Sequence, residues 1–244
     1  MISLRPFVRA MLARTVLACV ACSCVAPAKA GIVVASTRVV YPAEAADITV
    51  RLTNQRATPA LVEAWIESGE GDARARFAIT PPLFRMEPGR GQALRLRRLP
   101  DAAFPTDRES LYWLNVLDVP PDAPEASGGN VLKMAVRTRI KVFVRPPGLK
   151  GRADRAASRL SWTRDGDGLR IANPTPFHVT VAHVRITGGE PVRGTMVVPF
   201  GHATLRLEPV HMPAWHTAAR VEFGAINDAG GIDVRTAPLA VAAP

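Results

Sequence analysis

Beyond residue 24 the chain has no cysteine; Cys19, Cys22 and Cys24 are its only three. They fall within a segment that reads as an export signal. Arg5, Arg9 and Arg14 form a basic start, Thr15–Val25 is apolar, and Ala28-Lys29-Ala30 supplies the small-x-small cleavage pattern. Lipidation at Cys19, after Val16-Leu17-Ala18, is an alternative processing route, but Ala30 offers the better cleavage site. With residues 1–30 removed, no disulfide, thiolate metal site or cysteine nucleophile operates in the product, which rests on its apolar core. Long hydrophobic runs are also missing. The stretch in the signal is shorter than the roughly 20 residues of a membrane span, and no later segment reaches that length, so no membrane insertion is expected.

Long helices are equally absent from the pattern, because 22 Pro and 18 Gly interrupt it. Enzyme signatures are missing too. The chain shows no G-x-S-x-G, H-E-x-x-H, phosphate-binding loop or dinucleotide fingerprint. No cofactor or metal is expected, since His202, His211 and His216 sit around a Pro-interrupted loop at spacings that suit ligation poorly. Glu63, Glu67 and Glu70 read as a wet surface, not an acidic catalytic pair. Charge is modest once the signal is discounted. Its four basic residues leave 27 Lys and Arg against 21 Asp and Glu, too small a surplus to indicate nucleic acid in an exported protein without aromatic–basic clusters.

What is present is strand after strand. Val33–Tyr41, Ile48–Asn54, Leu61–Glu67, Ala93–Arg98, Leu111–Val119 and Val131–Val144 alternate or carry β-favouring residues, with turn signals such as Pro81-Pro82 and Pro88-Gly89 between them. Arg145-Pro146-Pro147-Gly148 then breaks the pattern as a stiff linker. A second series follows at Leu169–Asn173, Val179–Thr187, Met196–Val198, Ala203–Leu207, Arg220–Ile226 and Ile232–Ala237. The expectation is all-β: two sandwiches, residues 31–147 and 148–244, at a fixed angle with a cleft between them.

The run from Asn130 to Arg145 carries the most information. Leu132, Met134, Val136, Ile140, Val142 and Val144 share one face; Lys133, Arg137, Arg139, Lys141 and Arg145 share the other, with Ala135 and Phe143 as exceptions. A sandwich layer needs about half that length, so the surplus either protrudes or pairs outside its own domain.

An ordered set of motifs accompanies it: Thr37-Arg38-Val39-Val40-Tyr41-Pro42, Thr80-Pro81-Pro82-Leu83-Phe84-Arg85, Glu87-Pro88-Gly89, Asp107-Arg108-Glu109-Ser110-Leu111-Tyr112-Trp113-Leu114-Asn115-Val116, Asn173-Pro174-Thr175-Pro176-Phe177 and Ile226-Asn227-Asp228-x-Gly230-Gly231. In these the chain resembles the PapD-like periplasmic chaperones of the chaperone/usher pathway, which assemble pili and fimbriae. The resemblance implies two immunoglobulin-like domains and a non-catalytic chaperone that binds pilin subunits by donor-strand complementation, caps them and delivers them to an outer-membrane usher. It implies that Leu132, Met134 and Val136 enter the subunit's groove and that Arg38 and Lys141 grip its terminal carboxylate. Glu109, Arg145 and Asp228 form an interdomain ion network in the same reading, and the free protein forms a self-capping dimer. The short Pro120–Gly129 loop resembles the branch that serves rod-like pili. Val144, where an aromatic is common, departs from the pattern. A secreted immunoglobulin-like adhesin or structural pilus component is the alternative.

Overall fold

The computed structural model describes residues 31–68, 76–100, 103–121, 132, 134–208 and 220–241. The expected signal, residues 122–129 of the loop before the long strand, Glu70, and the His211 and His216 pair lie outside these residues.

Among the described residues, nine strands build the first half: β1 (Ile32–Val34), β2 (Arg38–Pro42), β3 (Asp47–Asn54), β4 (Ala60–Ser68), β5 (Phe77–Thr80), β6 (Leu83–Met86), β7 (Gly91–Arg98), β8 (Ser110–Val119) and β9 (Val136–Arg145). They form two sheets, ordered β1-β3-β7-β5 and β2-β9-β8-β4-β6. Period-two alternation fills the space between them. Val50 and Leu52 of β3 and Leu94 and Leu96 of β7 meet Val62, Leu114, Val116 and Val142 from the other sheet, all essentially inaccessible. Each such side chain contributes roughly 1.5–3 kcal/mol on burial, while Arg51, Arg95 and Arg97 point outward at the intervening positions.

The expected single strand Val33–Tyr41 is two. β1 pairs with β3 and β2 runs parallel to β9, so the chain crosses between sheets at Ala35–Thr37. Apolar residues on both sides of the break hide it from a reading of alternation. A second crossing occurs at Pro81-Pro82, where β5 pairs with β7 and β6 with β4. Those two four-residue strands are absent from the sequence expectation, being too short to show a period.

The second half comprises β10 (Ser161–Asp165), β11 (Gly168–Ala172), β12 (Val179–Ile186), β13 (Val192–Arg193), β14 (Met196–Val197), β15 (His202–Arg206), β16 (Arg220–Ile226) and β17 (Ile232–Val241). β17 joins its two layers: up to Pro238 it pairs with β16, and Leu239–Val241 then runs parallel to β10. Trp162 and Phe223 centre this core with ring centroids 4.8 Å apart. A short helical turn, α1 (Ala153–Ala156), continued by a tighter turn over Ala157–Arg159, follows the linker. Both cores are separate clusters of buried side chains, as expected of two immunoglobulin-like sandwiches.

Each half repeats one polar device. Asn54, fully buried, donates from Nδ2 to the Thr58 and Met86 carbonyls at 3.0 and 3.1 Å, and its Oδ1 accepts from the Arg56 amide. Asn173 does the same for Phe177 and Val198, and its Oδ1 accepts from the Thr175 amide. Leaving one such buried backbone group without a partner costs about 1–3 kcal/mol. Asn54→Ala should therefore lower the unfolding free energy by at least that amount, read as a reduced urea midpoint with an unchanged slope.

Candidate functional site: a strand edge ending on two cations

β9 begins at Val136, opposite Asp118 of β8. The expected strand from Val131 is thus shorter: Leu132 and Met134 lie outside any strand, because the β8–β9 ladder ends at Asp118–Val136 and β8 itself stops one residue later at Val119. Along its other side β9 is covered by β2 only from Lys141 to Arg145. Among the described residues, Val136–Ile140 therefore present one open edge. The apolar face changes character along its length. Ile140, Val142 and Val144 belong to the core, whereas Val136, Met134 and Leu132 are 47%, 61% and 83% exposed.

The opposite face is held by the chain's own residues, which the sequence reading did not anticipate. The Arg137 guanidinium lies 5.0 Å from the Trp65 ring and that of Arg139 4.2 Å from Trp113, geometry that favours cation–π attraction. Arg137 Nη2 also donates to Glu67 at 2.7 Å and to Asn115 Oδ1 at 2.7 Å. Glu67 is therefore a partner, not a free surface charge. Hydrogen bonding from Trp65, then the charges of Arg137 and Arg139, hold its carboxyl below the usual range.

At the base of the open edge, Arg38 and Lys141 stand opposite each other as the first pair of the parallel β2–β9 ladder. Arg38 is buried. Its Nη1 donates to the Ile226 carbonyl at 2.9 Å, while its Nε has no partner among the described residues. Lys141 Nζ reaches Thr180 Oγ1 at 3.4 Å. Ile226 and Thr180 belong to the second domain, so both cations lie where the two domains meet. Burial pulls the Arg38 guanidinium below its ordinary pKa, with the charges of Asp228 and Glu109 opposing the shift. Burial, and then the neighbouring Arg38 charge, lower Lys141. Neither cation has a carboxylate within ion-pairing distance among the described residues. Two adjacent, partly desolvated positive groups without a counter-charge form a site suited to one carboxylate.

Behind them Arg145 bridges the domains. Its Nε donates to Glu109 Oε1 at 2.6 Å, and Nη1 and Nη2 donate to Asp228 at 2.7 and 3.0 Å. Burial opposes the Arg145 charge, but its bonds to Asp228 and Glu109 outweigh this and raise its pKa. Glu109, almost wholly buried, also accepts from the His178 amide at 2.8 Å. Thr180, His178 and the Ile226 carbonyl escaped the sequence reading, because nothing in a one-dimensional pattern marks a residue that faces another domain. Among the described residues there is no group of three or more His, Cys, Asp or Glu placed to hold a metal ion, and no helix long and apolar enough to cross a membrane.

Residues 31–150 match the family described as pili and flagellar-assembly chaperone, PapD N-terminal domain, and residues 155–237 match the corresponding C-terminal domain. The chain belongs to the pili-assembly chaperone family. It is 38% identical over 226 residues to the chaperone protein FimB/FhaD of Bordetella pertussis, covering 87% of this chain and 90% of that one. Among solved structures, the YadV chaperone superposes with a TM-score of 0.75 at 35% identity, over 86% of this chain and all of its own. The SafB chaperone of Salmonella enterica, solved in complex with the SafA pilin, gives 0.74 at 31% identity over 88% of this chain and 99% of that one.

The junction depends on a close approach in which the family motif around Asp228 takes part. Gly230 has φ +89°, and a Cβ there would stand 2.3 Å from Thr37 Oγ1 of the first domain. Gly230→Ala combines left-handed strain with a clash against the Thr37 side chain, at about 1–3 kcal/mol for the strain alone. It should loosen the Arg145–Asp228 contact and enlarge the radius of gyration in small-angle scattering, with both domain cores retained.

Proposed function

We propose that this member of the family is a periplasmic, non-catalytic chaperone that binds pilin or fimbrial subunits by lending them β9. The open edge of Val136–Ile140 supplies the hydrogen-bonding strand, and Leu132, Met134 and Val136 enter the subunit's apolar groove. Arg38 and Lys141 grip the subunit's terminal carboxylate and fix the register, since a slip of one residue turns the wrong face inward. Glu109, Arg145 and Asp228 hold the second domain against the clamp. The capped subunit passes to an outer-membrane usher. In the free protein a second copy covers the exposed row.

The observation that carries this reading is the pair of partly desolvated cations that, among the described residues, have no ion-paired carboxylate and stand at the foot of an open strand edge. The complex of a pilin with the SafB chaperone supports a subunit as the partner. Three buried apolar side chains contribute roughly 5–9 kcal/mol gross, against an association cost of about 4–15 kcal/mol. Removing one side of a buried charge pair costs about 2–5 kcal/mol, enough to abolish a marginal complex.

Lys141→Ala should therefore weaken capture of a co-expressed fimbrial subunit by roughly 30-fold or more and leave the thermal midpoint near wild type. The decisive comparison uses a subunit whose C-terminal carboxylate is amidated. Wild type should lose affinity for it, and Lys141→Ala should scarcely distinguish the two subunits. Equal capture of both subunits by wild type would remove the clamp from the mechanism.

Binding should also depend on pH with a defined sign. A bound carboxylate raises the Lys141 pKa above its depressed value in the free protein, so binding takes up protons. Affinity is then full below the free-protein pKa and falls as pH rises through it. Lys141→Arg, which remains charged, should extend the plateau to higher pH in calorimetric titrations.

A further inference from the structure

The helical turn after the linker has two faces, and they look onto different spaces. Ala153, Asp154 and Ala157 line a cavity of about 250 Å³ beside Arg38 and Arg145. Arg152, Arg155, Ala156 and Arg159 line a larger groove of about 960 Å³, which neither Arg38 nor Lys141 touches. Thr106 and Asp107 of the first domain form part of its wall, with Leu149, Phe177 and Phe200 as apolar surface.

Charge around this groove is unbalanced. Lys150, Arg155 and Arg159 are exposed and have no carboxylate within ion-pairing distance among the described residues. The two acids nearby are already engaged: Asp154 with Arg152 at 2.8 Å and Asp107 with Arg108 at 2.7 Å. Arg155 and Arg159 are four residues apart on consecutive helical turns, so they face the same side and repel each other.

A second observation concerns Phe200. It is the one described non-glycine residue with positive φ, at 54°, although Gly201 follows it directly. A bulky side chain in the left-handed region is strained. Its amide donates to the Thr175 carbonyl at 3.1 Å, which fixes the loop, yet the side chain stays 52% exposed in the groove wall. The Arg108 guanidinium lies 5.1 Å from its ring. An aromatic held exposed against backbone preference, lining the same groove as Lys150, Arg155 and Arg159, has the chemistry of a recognition surface.

We propose that this groove binds an acidic, extended segment of a partner protein. Carboxylates meet Lys150, Arg155 and Arg159, and one apolar side chain packs on Phe200 and Phe177. The space falls within the range of ligand-binding clefts. Its cations come from three separate lining positions, Lys150, Arg155 and Arg159, which fits several separate carboxylates better than one compact anion, and its concavity excludes a flat bilayer. Because the carboxylate clamp takes no part in it, this surface stays available to a second protein while a subunit occupies the cleft.

The test uses the mature chain and a fluorescein-labelled peptide, Asp-Glu-Phe-Asp-Glu, followed by anisotropy at low and physiological salt. The acidic peptide should bind with a marked salt dependence, and its neutral counterpart Asn-Gln-Phe-Asn-Gln should not. The double variant Arg155→Gln/Arg159→Gln should weaken binding by about tenfold or more. Phe200→Gly should weaken it while raising the thermal midpoint through relief of strain, which separates loss of binding from loss of folding. Subunit capture should match wild type in all these variants. Equal affinity for both peptides, no effect of the arginine variants, or no binding of the acidic peptide overturns the proposal. So does a groove occupied instead by phosphatidylglycerol vesicles or by a second copy of the chain, or a parallel loss of subunit capture in the arginine variants.

Discussion

The parallel ladder between β2 and β9 starts at Arg38 opposite Lys141 and no earlier, and that starting point governs the rest of the site. Above it β9 has an open edge; below it the same strand is a core element of its own sandwich. One crossing of the chain between sheets, at Ala35–Thr37, sets the boundary. Were β2 a few residues longer toward its N-terminus, the edge would be covered and the two cations would stand within a sheet interior. A short strand thus determines both where pairing with another molecule can begin and which side chains stand at its end.

Keeping two like charges together and half-dehydrated is costly, and the second domain makes it tolerable. The Ile226 carbonyl accepts from Arg38, and Thr180 faces Lys141. Neither neutralises charge. The carboxylates that do, Glu109 and Asp228, are bonded to Arg145 and act on Arg38 only at a distance. The junction therefore orients the two cations while leaving them without a directly paired carboxylate among the described residues, and it joins the domains through charge-assisted bonds that are stronger than neutral ones. Gly230 against Thr37 adds a steric limit to how the domains meet.

The all-β architecture of two sandwiches was legible because alternation and Pro–Gly punctuation are local signals. What escaped was non-local. Val33–Tyr41 reads as one strand because β1 and β2 are both apolar, and only their different partners separate them. β5 and β6 are too short for any period to register. At the site, the apolar row was visible as a pattern, but the pairing of Arg38 with Lys141 entered through family resemblance, since no rule of spacing links residues so far apart. Glu67 shows the same limit from the other side. As one acid in a strand it reads as solvent-facing, and only register across β4, β8 and β9 sets it beside Arg137 and Trp65. The Ile226 carbonyl carries no sequence signal at all, being backbone.

An unpaired apolar edge ordinarily invites aggregation, and this chain limits the hazard by dividing the row. From Val136 onward the strand is pre-formed by β8, and its far face is fixed by the Arg137–Trp65 and Arg139–Trp113 stacks, so pairing its open edge with another strand would cost little further ordering. Leu132 and Met134 lack that support, because β8 ends its pairing at Val136. For them strand geometry comes only with a partner, at about 1–2 kcal/mol of backbone entropy per residue against roughly 1.5–3 kcal/mol from burial. The gain is small for each, so random partners that meet only these two residues acquire little affinity. A molecule that engages the supported segment and also presents a carboxylate to Arg38 and Lys141 collects every contribution at once. Discrimination in the proposed reading thus follows from placing weak, unsupported contacts at one end of the strand and an uncompensated charge at the other.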